Sequence, residues 1–170
     1  LGSLVALWVA AHGEAAGVVL FGPSDHMLVH PDLQDAADRR DRLAIDLILG
    51  WTHTGDSRLG GHLEAGSWKR ALLERLLERH LEGALAIDLR AVSRHDPVAD
   101  AVDAEVPALV VLGSADRMTP VGAGRALASH LAADAELLEI DGGSHVVFLE
   151  QPTEVMPALL SWLSRVHPAS

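Results

Sequence analysis

The sequence predicts an α/β fold: a three-stranded parallel sheet with flanking helices and an inserted, helical segment. Short apolar runs at residues 17–21, 107–112 and 135–140 have the length and composition of buried strands. Segments with helical periodicity alternate with these runs, and such alternation gives parallel strands joined by right-handed crossovers. Residues 22–106 are far more than the dozen or so that a crossover requires, so we expect an insertion there.

The chain begins with a helix in this interpretation. Residues 4–12 are apolar almost all round, which predicts a buried helix that ends near Gly13. The strand over residues 17–21 is stopped by Gly22 and Pro23, because these residue types terminate regular structure.

The insertion has the pattern of helices. Residues 31–50 carry an apolar stripe that predicts one long helix, and Arg40 is the polar residue within the stripe. Ser67 is expected to cap a second helix over residues 67–80. A third, short helix is expected within residues 81–92.

The remainder of the chain returns to the alternating pattern. Strands over residues 107–112 and 135–140 are each followed by a predicted helix, over residues 121–132 and 153–166. The last residues, 167–170, are expected to fray.

An aspartate and a histidine follow the ends of the second and third predicted strands. Asp116 comes after residues 107–112, and His145 comes after residues 135–140. Carboxyl ends of parallel strands meet at one edge of the sheet, so these side chains could touch. A carboxylate fixes the tautomer of a neighbouring imidazole and stabilises its charged form, as a general base requires. The alternative is that Asp116 caps the next helix and His145 is a surface loop residue.

Two motifs around these residues resemble the acid and histidine motifs of the α/β-hydrolase superfamily: Gly113-x-x-Asp116-x-x-x-Pro120 and His145-x-x-x-x-Glu150-x-Pro152. In that superfamily the acid follows the penultimate strand and the histidine follows the last one. Ser144 departs from the glycine that many members have before the histidine. The resemblance implies that Asp116 and His145 are catalytic.

The resemblance also concerns the beginning of the chain. The hydrolase nucleophile lies in a G-x-S-x-G turn, and Leu1-Gly2-Ser3 looks like the second half of that motif. On that alignment the nucleophile is the residue immediately before Leu1, the Leu1 N–H is an oxyanion-hole donor, and this chain alone is expected to be inactive. Ser3 is expected to be a small packing residue, because Leu1 and Val5 occupy the positions where flanking glycines would lie.

The resemblance further implies a division into a hydrolase core, residues 1–22 and 106–170, and a helical cap, residues 23–105, over the active site. It implies a hydrolase that acts on a small, apolar ester or related acyl compound, without a metal or organic cofactor. Two alternatives stay open. One is an Asp-nucleophile dehalogenase or epoxide hydrolase, in which Asp25, after the first strand, would be the runner-up acid. The other is a non-catalytic ligand-binding protein of the same fold.

Other candidate sites have weaker patterns. His26 and His30 have the i, i+4 spacing of some zinc ligands, but no third ligand follows in a known pattern, so no metal site is expected. Another group lies in a Gly-rich polar loop and is expected to be solvated: His53, Asp56 and His62. Gly122-x-Gly124 lacks the third glycine of a dinucleotide-binding motif.

Composition excludes several classes of partner. The net charge of −11 argues against nucleic acid and anionic membrane surfaces as partners. With no cysteine the chain has no disulfide or thiolate chemistry, and a cytoplasmic location is favoured. No apolar run reaches the roughly 18 residues of a membrane span.

Overall fold

A computed structural model describes residues 1–52, 69–131 and 135–166. Its sheet consists of β1 (Val18–Phe21), β2 (Ala108–Gly113) and β3 (Ala135–Ile140), which are parallel in the order β1-β2-β3. The predicted three-stranded parallel sheet is therefore confirmed. The expected Ser67 cap, the loop with His53, Asp56 and His62, and the tail 167–170 lie outside the described residues.

The helices of the described ranges are α1 (Gly2–His12), α2 (Pro31–Asp38), α3 (Leu43–Thr52), α4 (Lys69–Leu81), α5 (Leu85–Arg94), α6 (Pro97–Asp103), α7 (Val121–Ala128), α8 (Val147–Glu150) and α9 (Pro152–Val166). Every residue of the central strand β2 is buried, and its alternate side chains enter two separate cores. Val110 and Leu112 pack towards α1, α6 and α7, whereas Leu109 and Val111 pack towards α9. Helices therefore cover both faces of the sheet, as a buried parallel strand requires.

Helix α1 is less buried than its sequence predicts. Leu4, Leu7 and Ala10 are buried against the sheet, whereas Val5 is 55% exposed and Trp8 is 51% exposed. The prediction of a buried helix is wrong for this face, because the main contacts of α1 among the described residues are with β1 and α6 and leave Val5 and Trp8 half-exposed.

The helix predicted over residues 31–50 is broken into α2 and α3. Arg40 has a left-handed φ of 56°, and the Asp41 N–H donates to the Ala36 carbonyl across the turn, which closes α2. The Asp41 carboxylate then accepts from the Leu43 N–H at the start of α3. The polar residue within the apolar stripe was therefore the sign of a helix end.

The insertion has an apolar core of its own. Leu33, Ala37, Ile48 and Leu85 are buried together where α2, α3 and α5 meet. These residues form a cluster separate from the two cores on the sheet.

Helix α6 is not among the sequence predictions. Asp96 caps it by accepting from the Val98 and Ala99 N–H groups. Its Ala101, and Ala104 directly after it, are buried in the core between α1 and the sheet. Because α6 falls within the range 23–105 but packs on the sheet side, we propose that the cap ends near residue 95.

Helix α7 lies unusually close to β2. A Cβ atom at Gly124 would be 2.4 Å from the Leu112 Cδ2 atom, so a larger residue there would push the helix away from the strand. Gly124 therefore has a packing role. The helix ends at Ala128, four residues before the predicted end at residue 132.

Candidate active site

The loops that follow β2 and β3 are in backbone contact. The Ala115 N–H donates to the Gly143 carbonyl at 2.9 Å, and the Ser114 N–H donates to the Ile140 carbonyl at 3.0 Å. A Cβ atom at Gly113 would lie 2.3 Å from the Gly143 oxygen. Glycine at 113 therefore allows an approach that any side chain would prevent, and this approach positions the two candidate residues.

Asp116 and His145 meet at this edge of the sheet. The His145 Nδ1 atom lies 2.9 Å from the Asp116 Oδ2 atom. The Asp116 side chain is 2% exposed, and that of His145 is 25% exposed. A carboxylate only accepts hydrogen bonds, so Nδ1 carries the proton and Nε2 has a free lone pair. The geometry suits an imidazole that acts as a base through Nε2.

Asp116 is held by further donors. Its Oδ1 atom accepts from the Met118 N–H at 2.8 Å and from the Thr119 N–H at 2.9 Å. Burial by itself raises the pKa of Asp116, but the hydrogen bond and charge of His145, together with the two backbone donors, outweigh it and lower the pKa. Asp116 therefore stays ionised beside the ring. The residue that caps α7 is Pro120, so Asp116 does not have the alternative helix-capping role.

Acid is expected to remove the stabilisation that Asp116 provides. Because the folded-state pKa lies below the ordinary value of about 3.9, the contribution is complete above that value and is lost as pH falls through the folded-state pKa. Urea denaturation measures the free energy of unfolding of the unmodified chain and of Asp116→Asn at each pH. The difference between the two should be smaller at pH 2 than at pH 5. Asp103→Asn, at an exposed position of α6, controls for the loss of a carboxylate. An equal excess at both pH values would contradict the expectation.

Sequence reasoning missed Thr119 and Gly22. The Thr119 Oγ1 atom lies 2.9 Å from the Gly22 carbonyl oxygen, 2.9 Å from Asp116 Oδ2 and 3.0 Å from His145 Nδ1. Gly22 has a φ of 52°, and a Cβ atom there would lie 3.0 Å from His145 Nδ1. The available signals were a hydroxyl three residues after the aspartate and a glycine at the end of the first strand. Both residues hold the end of β1 against the pair.

The histidine loop is also tied to the insertion. The Ser144 hydroxyl donates to the Thr52 carbonyl at the end of α3, at 2.7 Å. The buried Glu150 Oε2 atom accepts from the Ser144 N–H at 3.0 Å. Ser144, the departure from the glycine expected before the histidine, therefore links the His145 loop to the insertion.

The beginning of the chain lies beside His145. Leu1 is the N-cap residue of α1 and lines two cavities that His145 also lines. The Ser3 hydroxyl donates to the Phe21 carbonyl at 2.6 Å, so it joins α1 to the end of β1. The structure thus gives Ser3 a hydrogen-bond partner in the fold, and its packing role stays a prediction.

Leu1 and His145 both line two cavities. The first has a volume of about 370 Å³ and lies along β1, where Val19, Phe21 and Phe148 are among its walls. The second has a volume of about 380 Å³ and extends from His145 between the helices of the insertion. Both volumes fall within the range of about 300–1,000 Å³ that is usual for small-molecule sites.

The other predicted candidates have local partners. The Asp25 carboxylate contacts the His26 ring at 2.6 Å, and Asp116 is the carboxylate that contacts His145. His30 accepts from the Asp32 N–H and so caps α2. Within residues 1–52, 69–131 and 135–166, no group of three or more His, Cys, Asp or Glu side chains is arranged to hold a metal ion. None of the helices in those ranges is long and apolar enough to cross a membrane.

Comparison with known proteins finds similarity at the level of structure. The chain is similar to the enol-lactonase from Burkholderia xenovorans LB400, with 22% identity, a TM-score of 0.81 and coverage of 96% of this chain and 62% of that one. It is similar to a thermophilic esterase from Thermogutta terrifontis, with 23% identity, a TM-score of 0.78 and coverage of 98% and 62%. It is also similar to the bromoperoxidase from Bacillus anthracis, with 20% identity, a TM-score of 0.73 and coverage of 94% of this chain and 63% of that one.

No profile of a known protein family and no curated protein sequence matches the chain. The structural neighbours all have the α/β-hydrolase fold, and the chain spans about 60% of their length. The chain therefore has a partial α/β-hydrolase fold, as the motifs predict.

Proposed function

We propose that this chain contributes the histidine and the acid of a hydrolase that acts on carboxylic esters or related acyl compounds. The contact between His145 and Asp116, with the ring facing two cavities, is the observation that carries the proposal. The proposed nucleophile is a serine immediately before Leu1 in the intact protein. No metal or organic cofactor takes part in this mechanism.

In the proposed reaction the serine hydroxyl attacks the acyl carbon while His145 Nε2 takes its proton. Asp116 accepts from Nδ1 and stabilises the resulting imidazolium. The tetrahedral intermediate collapses, His145 returns the proton to the leaving alcohol, and an acyl-enzyme remains. Water then repeats the sequence with His145 as the base, which releases the carboxylic acid and restores the serine.

The Leu1 N–H is proposed as one donor to the oxyanion. Leu1 precedes the first turn of α1, so its nitrogen lies at the positive end of the helix dipole. Leu1 also lines both cavities together with His145, and this shared lining supports the proposal. A fixed donor at that point stabilises the negative charge that develops on the carbonyl oxygen.

The walls of the cavities and the structural neighbours support the choice of substrate class. Most residues that line the cavity beneath the insertion are apolar, which suits a hydrocarbon chain. Two of the neighbours above are an esterase and an enol-lactonase, and both names refer to acyl–oxygen bonds. Because the chain spans about 60% of those proteins and shares under 25% identity with them, the comparison supports the fold and leaves the activity to experiment.

The proposal is tested by the residue encoded before Leu1 and by ester hydrolysis. We expect a serine there, and we expect the intact protein to hydrolyse short-chain nitrophenyl esters. An aspartate there would favour the dehalogenase or epoxide-hydrolase alternative, and an inert residue would favour a ligand-binding protein.

The 170-residue chain is expected to show no ester hydrolysis above background, because it lacks the proposed nucleophile. The same spectrophotometric assay measures this with purified protein. If the 170-residue chain hydrolysed the esters and lost that activity on His145→Ala, the assignment of the nucleophile would be wrong.

A further inference from the structure

Helix α5 carries a carboxylate on its inward face. Leu85, Asp88, Leu89 and Val92 follow the i, i+3, i+4, i+7 spacing of one helix face. Leu85 and Val92 are buried, and Asp88 lies on the same face with its side chain partly exposed. All four residues line the cavity of about 380 Å³ that also contains His145.

The remaining described walls of this cavity are mostly Leu, Ile, Val and Met side chains. The polar side chains among them are Thr52, His80 and His145, and each of these three contacts another acceptor within the protein. Among the described residues that line it, Asp88 is the only acidic one and none is Lys or Arg. Water can reach this partly exposed carboxylate, so an apolar ligand that displaces the water must supply a cation or a hydrogen-bond donor in its place.

Two of the arginines on or beside the neighbouring helices are paired with other carboxylates. Arg42 on the turn before α3 contacts Glu74 and Glu78 of α4, and Arg90 of α5 contacts Asp38 of α2. Within the described part of the chain, the Asp88 side chain has no hydrogen-bond or ion-pair partner.

Asp88 and His145 line the same cavity, together with Leu1. A ligand that fills this cavity therefore meets the carboxylate at one wall and the proposed catalytic histidine at another.

We propose that Asp88 selects ligands that combine an apolar chain with a positively charged group, such as an aminoalkyl ester. That such ligands include ester substrates rests on the proposed function. Their binding beside Asp88 requires no nucleophile. The apolar walls hold the hydrocarbon, and Asp88 supplies the counter-ion. The net charge of −11 adds a long-range attraction for cations and a repulsion for anionic substrates.

The test uses the methionine methyl groups as probes of binding. Met27 and Met118 line the cavity, and Met156 lies at an exposed position of α9 as an internal reference. With 13C-methyl methionine, titrations of the 170-residue chain with n-hexylammonium, 1-hexanol and n-hexanoate compare three charges on one hydrocarbon chain. We expect the Met27 and Met118 signals to shift and n-hexylammonium to bind about tenfold more tightly than 1-hexanol, the effect of one charge-assisted contact. Hexanoate should bind most weakly.

Variants assign the effect to Asp88. Asp88→Asn should reduce the advantage of n-hexylammonium over 1-hexanol to within about threefold, since the amide has no charge. Asp103→Asn, at an exposed position of α6, should leave the advantage unchanged. In the unmodified chain, 0.5 M NaCl should weaken the binding of n-hexylammonium and leave that of 1-hexanol unaffected.

Equal affinities for n-hexylammonium and 1-hexanol in the unmodified chain would overturn the proposal. So would an unchanged preference in Asp88→Asn, or shifts confined to Met156. Because these titrations involve no catalysis, their failure leaves ester hydrolysis to be judged by its own assay. Conversely, an intact protein without hydrolytic activity would leave a positive binding result standing.

Discussion

Replacing His145 with alanine in the intact protein is expected to lower kcat for ester hydrolysis by roughly a millionfold, as removal of the triad base does in serine proteases. The substitution removes the imidazole whose Nδ1 atom contacts Asp116 Oδ2 at 2.9 Å, so no base is left to take the proton of the nucleophile. Steady-state hydrolysis of a nitrophenyl ester measures the change. His130→Ala, at an exposed turn after α7, should retain full activity. Retention of more than about a hundredth of the activity by His145→Ala would argue against a catalytic histidine.

Asp116→Asn should lower kcat by roughly ten-thousandfold, and the structure gives the reason. Two backbone donors, the Met118 and Thr119 N–H groups, point at Oδ1. The oxygen of an asparagine must therefore take the Oδ1 position, and its NH2 group must face His145 Nδ1. That donor would force the His145 proton onto Nε2, where it blocks proton abstraction. A rate close to that of the unmodified protein would show that Asp116 does not set the tautomer.

Gly113→Ala is expected to have the largest effect on stability. Its Cβ atom would lie 2.3 Å from the Gly143 oxygen, 2.5 Å from the Gly143 carbon and 2.6 Å from the Ser144 oxygen. All three are backbone atoms, so relief requires the loop after β3 to move. Overpacking of this kind typically costs about 1–3 kcal/mol and occasionally more. We therefore expect urea denaturation to show a loss of about 3 kcal/mol in the free energy of unfolding. The His145–Asp116 contact should be lost with it.

Gly122→Ala is the matched control for this substitution. A Cβ atom at Gly122, in the first turn of α7, meets no atom within 4 Å. Its free energy of unfolding should rise by about 0.5 kcal/mol, because alanine loses less backbone entropy than glycine in a helix. If both variants were equally stable, the close approach of the two loops would not be a determinant of the fold.

The strands and their polar ends were predictable because the signals are local. The apolar runs of β1, β2 and β3 have the length of strands, and glycines mark where each one ends. Asp116 and His145 follow two of these ends, and parallel topology brings such ends to one edge. The motif resemblance predicted the fold and the pairing of Asp116 with His145. The 2.9 Å contact between Asp116 Oδ2 and His145 Nδ1 agrees with that pairing.

The helix boundaries of the insertion were less predictable. Arg40 lies within an apolar stripe, and its left-handed conformation depends on the turn that joins α2 and α3. Helix α6 has a proline and a capping aspartate but only seven residues, too few to show a clear period. Its place against α1 depends on packing and not on its own sequence.

By itself the sequence determined the parallel sheet, the helical insertion and the position of an aspartate and a histidine at neighbouring strand ends. Tertiary structure decided which other groups surround that pair. Thr119 contacts Gly22 across 97 residues, and Asp88 reaches the cavity of His145 from a helix of the insertion. Local periodicity reports which face of an element is apolar, but it carries no information about which distant element that face meets.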